Sequence, residues 1–149
     1  MSSTSTQLNT EHLLGTWRLS ACEGRAEDGT VVLPYTDKPE GMLMYNSDGT
    51  MMVIYMKPDR PLFESNDPGG GSTEELKAAF EGFTAYCGRF VLDPDASTVT
   101  HHLEQALFPN WVGTRQVRMI SLVDGQLSLS TPPILAGGKE WIFYLIWKR

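Results

Sequence analysis

The chain has 149 residues, 41% of them hydrophobic, and carries 12 Lys and Arg against 18 Asp and Glu for a formal net charge of −6. That length suits one globular domain with one core, and scattered basic residues in an acidic chain lack the electrostatic footprint of a nucleic-acid binder. An aromatic fraction of 10% and seven Met describe a well-packed or ligand-lined interior, not a disordered chain.

Residues 1–10 are rich in Ser and Thr but have neither the basic start nor the apolar stretch of a secretory signal, so the default expectation is a cytoplasmic protein. Residues 1–12 are expected to be a flexible N-terminal segment ahead of a single domain over 13–149. The longest apolar runs, Met51–Met56 and Trp141–Trp147, fall far short of the roughly 18 residues of a membrane helix, and no span is expected. Cys22 and Cys87 lack any CxxC or metal-type partner spacing and read as small buried hydrophobes.

Short apolar segments recur between turn residues, and most alternate or are rich in β-branched and aromatic residues, which predicts strands. The first runs near Leu14–Arg25, with Trp17, Leu19 and Ala21 on one face and Arg18, Ser20 and Cys22 on the other. A short strand follows at Val31–Tyr35. Gly41–Asn46 and Thr50–Lys57 then flank Ser47-Asp48-Gly49, and an Asp-Gly between two apolar runs predicts a hairpin. Pro58 to Gly71, with its Pro and Gly residues, reads as a long loop of the kind that forms lids.

Ser72 with Glu75 three residues on reads as a capping box, and Leu76, Ala79, Phe80 and Phe83 recur at helical spacing, which predicts one substantial helix over Thr73–Gly82 whose apolar stripe covers something. Five strands follow near Thr84–Leu92, Thr98–Leu107, Arg115–Val123, Gln126–Thr131 and Glu140–Lys148. Eight or nine antiparallel strands with one short helix fit a mostly-β, closed up-and-down barrel, because closure removes exposed edges. A barrel of eight strands is wide enough inside for one small ligand. Met51–Met56 and Trp141–Trp147 are apolar on both faces, so the outer face needs the helix or a second subunit, which makes a homodimer plausible.

Leu14-Gly15-Thr16-Trp17 resembles the Gly-x-Trp that opens lipocalin and fatty-acid-binding barrels. In those barrels the Trp closes one end beside a basic residue late in the chain, a part open here to Lys148 or Arg149. Segments 13–19, 45–51, 57–61, 100–104 and 108–114, taken in order, resemble the small lipocalin-like domain family of bacteria and fungi. The resemblance implies a barrel with a pocket for an apolar small molecule; some related small barrels of natural-product pathways are cofactor-free cyclases or isomerases.

Of the residues able to carry chemistry, the densest cluster is Thr100-His101-His102-Leu103-Glu104. Alternation puts His101 with Val99, Leu103 and Gln105, and His102 with Thr100 and Glu104, so the two His diverge. An inward His101 among apolar residues would be neutral and suited to acid/base or hydrogen-bonding work, or it is a core His bonded to backbone. Adjacent strand His residues with His12 far away do not make a zinc site, and nucleophile-elbow, P-loop and Rossmann fingerprints are absent, so no metal or cofactor is expected.

Arg118, sharing a face with Gln116, Ile120 and Leu122, and Arg89, sharing one with Cys87 and Val91, either meet an anion inside or form barrel-end salt bridges. Tyr55, Tyr86 and Tyr144 are either cavity donors or core aromatics. The catalytic candidates are therefore His101 as acid/base, Tyr55 and Tyr86 as donors, and Arg118 as oxyanion stabiliser. Trp17, Met44, Val53, Arg89, Leu103, Trp111, Phe143 and Tyr144 are expected to contact the ligand, with Asn110-Trp111 at the rim. The functional expectation is a cofactor-independent isomerase or cyclase of a natural-product pathway acting on an apolar oxygenated molecule, with a non-catalytic carrier as the alternative.

Overall fold

The computed structural model describes residues 7–149. In chain order it contains a one-turn helix α1 (Thr10–Leu13), strands β1 (Gly15–Ala26), β2 (Val31–Val32), β3 (Glu40–Tyr45) and β4 (Thr50–Met56), helix α2 (Thr73–Glu81), and strands β5 (Phe83–Asp93) and β6 (Thr98–Ala106). A 3-10 turn at Pro109–Trp111 leads into β7 (Arg115–Val123), β8 (Gln126–Ser130), β9 (Ile134–Ala136) and β10 (Lys139–Lys148). Eight strands close a barrel in the order β1-β3-β4-β5-β6-β7-β8-β10, antiparallel throughout, with β10 returning to pair with β1. The mostly-β closed barrel with one substantial helix is thus the observed fold. Among the described residues no helix is long and apolar enough to cross a membrane.

β1 and β10 are longer than the barrel needs. Their pairing continues to Ala26 opposite Trp141. Beyond the barrel the free edge of β1 takes β2 at Gly24 and Arg25, and that of β10 takes β9 at Lys139–Trp141. β9 is an addition to the expected strands: three exposed residues show no alternation to read. The predicted hairpin joins β3 to β4, with Gly49 at φ 88° and Asp48 Oδ1 accepting from the Thr50 amide at 2.9 Å and its hydroxyl at 2.6 Å. That side chain holds the tight turn in the way short polar residues do.

At one end the barrel is plugged. Residues 1–6 of the expected flexible segment lie outside the described residues; Thr10–Leu13 within it forms α1, whose Leu13 is fully buried. Trp17 Nε1 donates to the Leu13 carbonyl at 2.8 Å. The Arg149 guanidinium lies 4.1 Å from the Trp17 ring centroid and donates to the carbonyls of His12 and Leu14 at 2.6 and 2.9 Å. Arg149, not Lys148, is the late basic residue beside the tryptophan.

Two bulges re-aim side chains. The β1–β10 register skips Ser20 between Leu19 and Ala21, so Ser20 and Ala21 are both exposed and Cys22 turns inward, against the simple alternation that set Ala21 with Trp17 and Leu19 and Cys22 on the other face. On β6 the register skips Glu104, leaving Glu104 and Gln105 both exposed, so Gln105 does not share the inner face of His101.

The Ser72 and Glu75 capping box forms as read. However, the apolar stripe of α2 is not covered, since Leu76 and Phe80 remain exposed and the helix buries none of its residues. The 58–71 loop packs on α2, with the Glu64 amide donating to Glu75 Oε2 at 2.8 Å and Arg60 Nη1 to the Ala79 carbonyl at 3.3 Å. It contributes no residue to the cavity wall.

Candidate functional site

Between the plugged end and the open mouth the barrel encloses a cavity of about 300 Å³, at the lower end of the range for small-molecule sites. Its wall is apolar over Leu43, Val53, Leu129, Phe143, Leu145 and Trp147. Tyr35, Tyr55, Thr84, Tyr86, His101, Arg118 and Thr131 bring polar atoms to it. Pro34, Tyr35 and Ile134, from the segments next to β2 and in β9, complete the wall on the mouth side.

His101 is the most buried polar residue, at 1% exposure, and stands on the inner face of β6 between Val99 and Leu103 as alternation requires. The Tyr45 hydroxyl lies 2.7 Å from its Nε2 and the Tyr86 hydroxyl 2.7 Å from its Nδ1. Burial pushes His101 down to about 3, and the nearby charges of Arg118 and His102 act in the same direction. Burial likewise pushes Tyr86 up to about 12, against the pull of Arg118, and holds Tyr45 and Tyr55 well above the usual tyrosine range. A neutral imidazole donates from one nitrogen and accepts at the other, so one tyrosine hydroxyl donates to it and the other receives. The three side chains form a neutral relay whose end nearest the cavity is Tyr86.

A base lowered this far stays unprotonated at neutral pH, and it makes stability depend on acidity. The unfolded chain binds a proton at His101 near its ordinary 6.5, whereas the folded chain resists until about 3. Its contribution is therefore complete above pH 6.5 and lost as pH falls between those values, at about 1.4 kcal/mol per pH unit. Urea unfolding of wild type and His101→Gln should show a stability gap that is widest at pH 7 and narrows towards pH 4. A gap independent of pH would mean that His101 is not held neutral.

Arg118 reaches the cavity from β7, on the inner face with Ile120 and Leu122. Its Nη1 donates to the Val117 carbonyl at 3.1 Å and its Nη2 to Gln116 Oε1 at 2.6 Å. The indole nitrogen of Trp147, a buried member of the wall, has no hydrogen-bond partner among the described residues.

The structure brings His101, Arg118, Tyr55, Tyr86, Val53, Trp111 and Phe143 together around the cavity. Trp111 stands in the 3-10 turn at the rim, 6.2 Å between ring centroids from Tyr86. Trp17 and Leu103 are buried core residues away from the cavity wall. Met44, Arg89 and Tyr144, expected at the ligand, face outward and are not in the cavity wall. On β3, Leu43 and Tyr45 point in, which turns Met44 out. Arg89 Nη2 donates to the Asp48 carbonyl at 3.4 Å outside the barrel, because Tyr86, Gly88 and Phe90 hold the inner face of β5. Tyr144 lies under the Arg25 guanidinium at 4.5 Å from its centroid, since Phe143, Leu145 and Trp147 take the inner face of β10.

Cys22, Tyr35, Leu43, Thr84, Leu129, Thr131, Leu145 and Trp147 in the wall, and Tyr45 behind His101, belong to the site without having been singled out from sequence. Thr84 was legible, being two residues from Tyr86 on one strand face. Its hydroxyl lies 2.5 Å from that of Tyr35 across the mouth.

The sequence model of the lipocalin-like domain matches residues 14–149. A 4'-hydroxy-3'-methoxypropiophenone carrier protein of Aspergillus oryzae is 36% identical over 106 residues, covering 66% of this chain and 96% of that protein. A barrel opened by Gly15 and Trp17, closed by β10 and hollow at its centre accords with both likenesses, and the chain belongs to the lipocalin-like domain family.

Proposed function

We propose that the barrel is a carrier for a small oxygenated aromatic molecule, held by the apolar wall and oriented by Tyr86, His101 and Arg118. The observation that carries this reading is the cavity of about 300 Å³, apolar over most of its wall with a few convergent polar groups. The ligand named for the Aspergillus oryzae relative, an aryl ketone with one hydroxyl and one methoxy on the ring, belongs to that class.

Trp111 and Trp147 in the wall supply the test. Titration with 4'-hydroxy-3'-methoxypropiophenone should quench tryptophan fluorescence saturably. Propiophenone, which lacks both ring oxygens, should bind at least about tenfold more weakly, the worth of one hydrogen bond to a charged group. Absence of saturable quenching by either compound overturns the reading.

A cofactor-independent isomerase or cyclase of a natural-product pathway is the second reading, and the Tyr45–His101–Tyr86 relay favours it. In such a reaction Tyr86 gives a proton to one atom of the substrate and takes one back from another, so that the relay ends as neutral as it began. Both reactions conserve mass, so the ligand is recovered after incubation and examined by NMR. An unchanged spectrum supports the carrier, whereas conversion that Tyr86→Phe abolishes supports the enzyme. The two-fold partner expected over the outer face of β4, where Met52 and Ile54 stay exposed, belongs to the same proposal. Native mass spectrometry of the loaded protein counts subunits and ligands together.

A further inference from the structure

Six ionisable groups line the cavity: Cys22 from β1, Tyr35 from the segment after β2, Tyr55 from β4, Tyr86 from β5, His101 from β6 and Arg118 from β7. Among the described residues, no Asp, Glu or Lys lines it. Burial keeps five of the six neutral: the thiol and the three phenols are pushed up, Cys22 to about 12, and the imidazole is pushed down to about 3. Arg118 is left as the one charge on the wall, and among the described residues it makes no ion pair.

Its two hydrogen-bond acceptors, the Val117 carbonyl and the Gln116 side-chain oxygen, are both neutral. A guanidinium has five N–H groups, so donors remain for an occupant of the cavity. A cation drawn into an apolar enclosure without a counter-charge is costly, and the missing charge is what an anionic ligand supplies. The field of Arg118 reaches across the cavity, since it bears on Tyr45, Tyr55, Tyr86 and His101 alike.

We propose that the barrel takes a para-acyl phenol as its phenolate, with the negative oxygen seated on Arg118; this rests on the aryl-ketone reading above. The acyl group spreads the phenolate charge onto the ketone oxygen, which makes such a phenol more acidic than tyrosine, whose ordinary value is about 10. Tyr86 stays protonated in the same cavity because it has no hydrogen bond to Arg118, and burial dominates there. A ligand oxygen in direct contact gains the charge-assisted bond that Tyr86 lacks, and an opposite charge at that range lowers an acid by about 1–3 units. Binding then transfers one proton from the phenol to the buffer, while the ligand keeps its remaining bonds.

The experiment is absorption spectroscopy of 4'-hydroxy-3'-methoxypropiophenone at one pH unit below its own ionisation in water, with tryptophan quenching recorded in parallel. Bound to the wild type, the ligand should show the long-wavelength phenolate band, with its acid constant raised at least about tenfold. Arg118→Lys should keep that band, whereas Arg118→Gln should need at least about tenfold more ligand for the same quenching and, once loaded, leave the ligand with its neutral spectrum. Quenching with a neutral spectrum in the wild type overturns the phenolate proposal and leaves the carrier reading standing; no quenching overturns both. Should Arg118→Gln fail to fold, the wild type decides with 3',4'-dimethoxypropiophenone, which cannot ionise. The proposal expects its affinity to be at least about tenfold below that of the phenol, on the same charge-pairing ground. Equal affinities overturn it.

Discussion

Gly88→Ala is expected to cost about 3 kcal/mol or more, at the top of the range for overpacking, and to abolish ligand binding as well. An added Cβ would lie 1.8 Å from the His102 carbonyl oxygen, 2.9 Å from its carbon and 3.0 Å from the Glu104 nitrogen. All three are backbone atoms of the neighbouring strand, so no side-chain rotation relieves them. The cause is the bulge on β6, where the extra residue Glu104 brings the chain in against Gly88. Relief requires β5 and β6 to separate, which breaks ladder bonds and carries His101, next to His102, out of reach of Tyr86. Urea unfolding followed by circular dichroism measures the loss. A variant within about 0.5 kcal/mol of wild type, the ordinary scatter of surface substitutions, would show that the two strands move apart freely.

Trp17→Ala should destabilise the barrel by about 3–5 kcal/mol, as large aromatic truncations in packed cores do. Trp17 is 1% exposed and combines three roles: it fills the plugged end, its indole N–H satisfies the Leu13 carbonyl, and its ring carries the Arg149 guanidinium. Trp17→Phe keeps most of the volume but loses the hydrogen bond, and should recover the larger part of that loss. Equal losses for the two variants would mean that the hydrogen bond, not the packing, holds the end closed.

The parts of the molecule legible in the sequence are those fixed locally. Ser47-Asp48-Gly49 specifies its hairpin, Ser72 and Glu75 their helix start, and alternation sets His101 with Val99 and Leu103 on one face and His102 on the other, leaving open which face is inner. The failures share one origin. Where both faces of a strand are apolar, as with Met42 and Met44 against Leu43 and Tyr45, a period of two says that the faces differ but not which is inner. Phe143 and Tyr144 were both placed at the ligand though neighbours on a strand point apart. Cys22 escaped for another reason: a bulge costs one residue and reverses every later side chain, and nothing in Leu19-Ser20-Ala21 announces it. Tyr45 entered the site only through His101, fifty-six residues away, a partnership that barrel closure creates.

That closure also governs how the chain comes into being. The seam joins Arg18 to Lys148 and Cys22 to Leu145, so the first long strand finds one of its two permanent neighbours only when the last has been made. Contacts so distant in sequence are slow to form. During synthesis the open sheet keeps the β1 edge unsatisfied until β10 has emerged, and a chain that lacks β10 exposes that edge to other chains. Loss of β10 therefore opens the seam and strips Leu145 and Trp147 from the cavity wall together, and the newly made protein depends on β10 for its first protection against aggregation.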